Sequence, residues 1–597
     1  MIGDSHRTSK DNPVLKFNDG RLDPDQLSEM GLLRGRPPAN TMHHLKLAAD
    51  WLLLAQKATR TGGYSRYYSL FRGWGGPYPE TTGYIIPTML DTSKSLNDTR
   101  YEESALRAGE WLLSKQKPDG SWGDPDGNRS MVFDTGQILL GIVRLYEHTG
   151  IGRYRDAAVR AAKWICSVQE PDGCWKQHAY CDRPHTYYTR VSAALLQAGR
   201  IADRPDFAEA AHRQLAWTIS NQHEDGYFAH MGFNDKSPPW LHTIIYVLEG
   251  LFASWENSGR EEYLNAVLTT ARRLLQLEQQ QIMLAARYRP RWEAVGTDRC
   301  ITGIAQWAGC ALRLHAVTGD RQYLDSAVGN LYYLKSKQIR IPGALCGALP
   351  GSIPAWGSYG PWKMLNWNNK FFIDALNRYL PLQRPMHNEQ AVWSARCFRA
   401  APESMVGASL SEIDRLFAEL VIKTLPESRA RGNVLIDIGC GKGKYVSHFR
   451  KSISGIRVVG IDPCFRSSDL RILPGNVYDI PVRSAAAHAV IAFDVLQHIG
   501  FLDRALNEIM RILAPGGLLF IAEKSKLCLR GLAKPLLELT GTWMYPWDSP
   551  FRERWYSAAQ WRTYLSCFGE IQTMRFHFAP SNPPLKDRYI FLVVRKR

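Results

Sequence analysis

A chain of 597 residues exceeds what a single core holds, so two or more domains are expected. Its 45% hydrophobic and 22% charged residues are ordinary for a folded globular protein, and no apolar run has the length of a bilayer-spanning helix. The formal charge of +17 is uneven: residues 431–597 hold 24 Lys/Arg against 13 Asp/Glu, a surplus of 11, and the longer remainder carries +6.

Residues 1–44 read as a polar N-terminal extension. Met1 to Asp25 contains no apolar h-region, and the 11 cysteines are scattered without metal-type pairing. A reducing, cytoplasmic location is therefore expected.

Residues 45–380 carry an internal repeat. Trp51 to Gln56 recurs as Trp111 to Gln116, Trp164 to Gln169 and Trp217 to Gln222, with weaker copies at Leu274 to Gln279 and Tyr333 to Gln338. Successive glutamines are 60, 53, 53, 57 and 59 residues apart. A turn follows several of them, as in Pro118-Asp119-Gly120 and Pro171-Asp172-Gly173. There Pro presets φ, Asp bonds its own backbone and Gly accepts positive φ. The more apolar second helices are expected at 83–95, 134–149, 187–201, 241–255, 301–317 and 371–380. Six hairpins of this length imply an (α/α)6 toroid with these helices inside.

The Gln…Gly-x-Trp pattern resembles the repeat of terpenoid cyclases and protein prenyltransferases. The count of six resembles the six-hairpin glycosidases and related uronate-processing toroids. Residue by residue, the chemistry of the first group does not carry over. The Asp-x-Asp-Asp acid and the Asp-rich metal motif are absent, and Asp298-Arg-Cys300 has no later His at 358–369 to complete a zinc site. No metal is expected.

The residues that begin the inner helices form an aromatic and polar mouth, with Tyr64, Tyr78, His185 and His242 among them. Arg66, Tyr67, Trp74, Tyr187, Tyr188, Arg190, Trp240, Arg299 and Trp362 are the candidate substrate-binding residues. Ring faces pack on the C–H faces of a sugar, and polar groups meet its hydroxyls. Glu80 and Asp134 lie on successive hairpins, as the paired acids of several six-hairpin glycosidases do, and are the candidate general acid and base. A capping role at the start of the inner helices is the other reading of both.

Residues 381–430 read as a linker and lead-in helix. Pro381 and Pro385 stop the last hairpin, 391–398 is a short helix, and 409–424 is amphipathic, started by Ser411 and Asp414.

Residues 431–597 alternate strand and helix, with strands at 434–438, 457–461, 489–493 and 518–522 and a final hairpin at 571–578 and 589–595. The first strand runs into Asp437-Ile-Gly439-Cys-Gly441-Lys-Gly443. Glycines there let the backbone turn sharply and approach a ligand. The second strand ends in an acid, Asp462, placed to accept ribose hydroxyls. These features, with Asp479-Ile480, Phe493-Asp494 and Pro515-Gly516-Gly517, resemble the class I S-adenosylmethionine-dependent methyltransferases. The spacing differs from a dinucleotide fingerprint.

The resemblance implies a Rossmann-like, doubly wound α/β domain with S-adenosylmethionine as cofactor. It implies Asp437, Gly439, Gly441, Gly443, Asp462, Asp479, Ile480 and Asp494 as cofactor-binding residues. His498, past the fourth strand, is the candidate base for a hydroxyl acceptor. The basic, aromatic stretch 524–556 is expected to form a lid for an anionic sugar or a headgroup at a membrane surface.

The expected function is methyl transfer to a glycan or other anionic acceptor, with the toroid binding or modifying it. The alternatives are isoprenoid or natural-product tailoring, and a toroid that only binds. Contact with an anionic membrane surface fits the charge. No nucleic-acid module is present, and no obligate protein partner is evident.

Overall fold

The computed structural model describes residues 17–18, 21–22, 41–234, 237–281, 283–340, 342–382, 392, 396, 410–425, 433–463, 470–475, 477–478, 480–499, 502–525, 555–578 and 588–597. Most of the N-terminal extension, the 391–398 segment and the 524–556 lid expectation lie outside them.

Among the described residues twelve α-helices build the first region: α1 (Thr41–Thr59), α2 (Pro79–Leu96), α3 (Thr99–Lys115), α4 (Val132–Thr149), α5 (Gly152–Ser167) and α6 (Thr189–Ala202) lead. They are followed by α7 (Pro205–Ser220), α8 (Leu241–Ser258), α9 (Glu261–Gln281), α10 (Ile301–Thr318), α11 (Arg321–Lys337) and α12 (Asn366–Tyr379). The even-numbered helices pack each on the next, and α12 returns to α2, so they close an inner ring. Glycines set the spacing of that ring. A Cβ at Gly141 of α4 would lie 2.1 Å from the Gly83 carbonyl oxygen of α2, and one at Gly250 of α8 would lie 2.3 Å from Thr189 of α6. Gly141→Ala tests this. Alanine gains about 1 kcal/mol of helix propensity, but overpacking against backbone costs about 1–3 kcal/mol. A net loss of stability is expected, read as a lowered melting temperature by circular dichroism.

The repeated glutamines tie each outer helix to the next. Gln169 Nε2 donates to Gly173 O in its own turn and to Ala210 O on α7, at 2.9 and 2.8 Å. Gln116 does the same with Gly120 O and Ala157 O. Gln338 bonds His44 O, joining the last outer helix to the first. The fifth copy differs from expectation. Gln279 reaches only the exposed Gln322, while Glu278, 3% exposed, takes the tie and accepts from Ser326 Oγ and Asn330 Nδ2. Three inner helices start earlier than expected, α4 by two residues at Val132 and α2 and α12 by more. Proline suits the first helical turn, so α2 begins at Pro79, and α12 begins at Asn366. In contrast, α6 begins at Thr189, after a 3-10 turn at Thr186–Tyr188.

The second region opens with α13 (Glu412–Thr424), whose capping box is Ser411 with Asp414. Its strands are β1 (Val434–Ile438), β2 (Arg457–Asp462), β3 (Ile472–Pro474), β4 (Ala487–Phe493), β5 (Leu513–Lys524), β6 (Gly569–Phe578) and β7 (Arg588–Lys596). The sheet order is β3-β2-β1-β4-β5-β7-β6. The first five strands run parallel, and β7 lies antiparallel between β5 and β6. Alternate residues of β5 and β7 enter separate cores: Leu519, Ile521, Ile590 and Leu592 on one face, Phe520, Ala522, Phe591 and Val593 on the other. Both faces are therefore covered, as a parallel sheet requires.

Candidate functional site

Strand order reverses between β1 and β4, and the carboxyl ends of β2, β1 and β4 lie side by side. Open α/β sheets bind ligands at that position. The turn after β1 sits there. Gly439, Gly441 and Gly443 have φ of +69°, +54° and +84°, which side chains disfavour. A Cβ at Gly439 would strike Val495 at 2.3 Å, so that glycine serves close packing. A Cβ at Gly441 would meet nothing within 4 Å, so that one borders open space. Gly441 N–H donates to Asp462 Oδ2 at 2.9 Å, which locks the turn onto the end of β2.

Asp437 is 2% exposed, and its Oδ2 has no partner among the described residues. Burial pushes its carboxyl well above the usual range, against the pull of Lys444. A buried acceptor without a donor costs about 1–3 kcal/mol, and such a cost persists where a ligand supplies the donor.

Asp494 holds φ +56° at the end of β4. It accepts from Gln497 Nε2 at 2.6 Å and pairs with Lys524 Nζ at 3.3 Å. Glu523, at the end of β5, accepts the N–H groups of Val495, Leu496 and Gln497 at 2.9, 2.6 and 3.2 Å. It thereby fixes the 3-10 turn Leu496–His498 that carries the buried His498. Ile480 is buried, with its N–H on Glu508 and its carbonyl on Arg511. Asp479 lies outside the described residues.

In the toroid, Glu80 and Asp134 occupy the first turns of α2 and α4. Neither caps its helix: the N-caps are Tyr78 and Met131, without side-chain cap bonds. The capping reading of both acids is thus overturned. Both carboxyls are buried, and the Tyr78 hydroxyl donates to Asp134 at 3.4 Å. Burial raises Glu80 to about 7, partly offset by Tyr78 and Arg190. Burial, and then the charge of Glu80, holds Asp134 well above the carboxylate range. Both shifts run toward the protonated form, the state a general acid needs.

A layer of polar side chains crosses the ring below them. Arg190 lies 4.6 Å over the Tyr246 ring and donates to Gln137 Oε1 at 2.7 Å and Glu249 Oε2 at 2.6 Å. Gln306 Nε2 also donates to Glu249, and its oxygen accepts from His242 Nδ1 at 2.7 Å. Burial lowers His242 to about 3, so its ring is neutral. Lys370 and Thr88 meet on Asp374 at 2.5 and 2.6 Å. All six inner helices contribute to this layer.

Tyr187 and Tyr188 are buried with Phe133, 5.2 and 5.4 Å from its ring. Trp240 sits beside Tyr359 and under Arg287. Tyr67, Trp74 and Arg66 belong to a rim in which strand Tyr67–Ser69 pairs with Gly73–Trp74 and Lys363–Leu365. Arg299 pairs with Ile353 on another rim strand. Trp362 is 38% exposed and packs on Phe71 and Trp356, so the structure does not gather it with the acids. His185 places its two ring nitrogens on the carbonyls of Gly232 and Tyr180, a structural tie. Asp298 accepts from Ser358, and no cluster of three metal-ligating side chains exists among the described residues.

The methyltransferase domain profile matches residues 410–569, and the profile of the squalene-hopene cyclase C-terminal domain matches 78–254. The C-terminal region is a methyltransferase domain. Among curated proteins, the squalene–hopene cyclase of Zymomonas mobilis is 27% identical over 200 residues, which is 30% of this chain and 29% of that protein. "Probable tRNA methyltransferase 9B" of Mus musculus is 31% identical over 120 residues, 18% of this chain and 26% of that protein. The chain thus spans under a third of these relatives' own lengths. Among solved structures, an unsaturated glucuronyl hydrolase specific for heparin aligns with 57% of this chain and 97% of its own, at 17% identity and a TM-score of 0.48.

The methyltransferase domain takes S-adenosylmethionine as its cofactor, and the residues present fit it. The orphaned Asp437 Oδ2 awaits a donor such as an ammonium group, and Asp462 stands where a ribose is held in doubly wound folds. Sequence reasoning missed Glu523 and the Arg190–Glu249–Gln306 chain. The signal for Glu523 was a lone acid closing the apolar run 518–522.

Proposed function

We propose that the chain is an S-adenosylmethionine-dependent methyltransferase acting on a polar acceptor of carbohydrate type, with the toroid as its acceptor-binding or acceptor-modifying unit. The orphaned buried oxygen of Asp437 beside the open Gly441 carries the methyl-transfer part. Bound S-adenosylmethionine supplies an electrophilic methyl group. Asp437 would hold its amino end, the glycine turn its carboxylate, and Asp462 its ribose. Glu523 stiffens the loop bearing His498, the proposed base for a hydroxyl acceptor.

The charged layer supports a polar substrate in the toroid. Arg190–Glu249 and Lys370–Asp374 stand along the inner helices, where a hydrocarbon chain would leave them desolvated. Glu80 and Asp134 would share acid and base roles there.

One observation favours an isoprenoid reading: the buried acids, both shifted toward the protonated form, stand among the rings of Tyr84, Tyr187, Tyr188 and Tyr246. A panel of acidic glycans, neutral glycans and polyprenyl alcohols, incubated with methyl-labelled cofactor and the full chain, separates the two. Label on glycans is the expected result. Label confined to lipid or amine acceptors sinks the carbohydrate proposal.

A further inference from the structure

The two most exposed large apolar side chains among the described residues, Phe71 at 76% and Trp356 at 63%, stand at one tip of the toroid rim. Leu70, at 41%, and Trp362, at 38%, complete the patch. The rings are 5.7 Å apart from Phe71 to Trp362 and again from Trp362 to Trp356, and Leu70 N–H donates to Trp362 O at 3.0 Å. The three-stranded rim sheet holds both loops in place. Trp362 has φ +58°, a conformation that bulky residues avoid and that the turn sustains while leaving the indole outside.

The charges carried by the two tip loops themselves have one sign, and Asp298, which packs against Gly357, is buried and accepts from Ser358. Arg72 is exposed beside Phe71, and Lys363 lies next to Trp362 with its ammonium 4.6 Å over the Tyr67 ring. Residues 66–79 and 351–365 contain no Asp or Glu. We propose that this tip seats the toroid rim on an anionic bilayer, the aromatic rings entering the headgroup boundary while Arg72 and Lys363 meet lipid phosphates.

Three comparisons select that occupant. Indole rings flanked by Lys and Arg suit the membrane interface, where one end is apolar and the other wet. A stable dimer face uses about 20–30 residues a side, far more than this tip offers. A sugar platform wants one flat face with hydroxyl partners, whereas Phe71 meets Trp362 at 65°. No described helix is long and apolar enough to cross a membrane, so the contact would be peripheral. The inference does not depend on the acceptor being a carbohydrate.

The test is co-sedimentation of the full chain with vesicles of phosphatidylcholine alone, or mixed with phosphatidylglycerol. The wild type is expected to pellet with the anionic vesicles. The double variant Phe71→Ser/Trp356→Ser should lose about tenfold or more in partitioning, and Arg72→Glu about tenfold, with unchanged melting and S-adenosylmethionine binding. A wild type that stays in the supernatant with both vesicle types overturns the proposal. So does equal pelleting of the double variant. If light scattering shows a dimer that the double variant disperses, the tip is a contact between copies and the proposal fails. If only binding of soluble oligosaccharides is lost, the tip is a sugar platform, which overturns it too.

Discussion

Asp462→Ala is expected to weaken binding of S-adenosylmethionine and of its demethylated product by about a hundredfold or more, because it removes charge-assisted bonds of about 1.5–3 kcal/mol each. One of those bonds is visible without any ligand: Asp462 Oδ2 accepts Gly441 N–H at 2.9 Å and so holds the glycine turn in its ligand-facing shape. The other oxygen would serve the ribose. Alanine at 462 therefore loses a ligand contact and the organisation of the turn together. Asp437→Asn isolates the second half of the site. It keeps the shape of the side chain but turns one acceptor into a donor where an ammonium group is expected, so affinity should again fall. Titration calorimetry on the full chain reads both effects. Wild-type affinity in both variants would remove the assignment of the site, whatever the acceptor.

The glycine turn and the two acids were legible in the sequence because their placement is local. Asp437, Asp462 and three glycines lie at the ends of two adjacent strands, and spacing alone brings them together. The toroid was legible for the same reason: Gln56, Gln116, Gln169 and Gln338 each bond their own turn and the next outer helix, so the contact recurs at a near-fixed period. Where a contact is not periodic the reading failed. Gln279 matched the repeat by spacing, yet Glu278 makes the bonds, because burial against Ser326 and Asn330 decides the register. Pro79 was passed over as a helix start, and with it the placement of Glu80 inside the first turn. The Arg190–Glu249–Gln306 chain joins residues 59 and 57 apart, on helices with no shared motif. Trp362 was grouped with the mouth by type, but the turn at φ +58° sends its ring to the outer tip.

Glu80→Gln should make the protein more stable at pH 8 while destroying any reaction the toroid performs. The sign follows from linkage. Burial raises this carboxyl from 4.5 in the unfolded chain to about 7 in the fold. Between those values the folded state binds the extra proton, so stability falls as pH rises from 4.5 through 7 and levels off above. One pK unit is worth about 1.4 kcal/mol, so the loss approaches about 3 kcal/mol. Glutamine cannot ionise and escapes that loss. At pH 4.5 variant and wild type should melt together, and by pH 8 the variant should melt several degrees higher. Asp134→Asn should behave alike, since burial and the charge of Glu80 push that acid in the same direction. An acid retained for capping or for an ion pair would show the reverse, a loss on replacement that is largest at high pH. Melting curves of both variants across pH 4.5 to 8 therefore distinguish an acid held at the expense of the fold from one that supports it. Equal or lower stability at pH 8 would remove the general-acid role from Glu80.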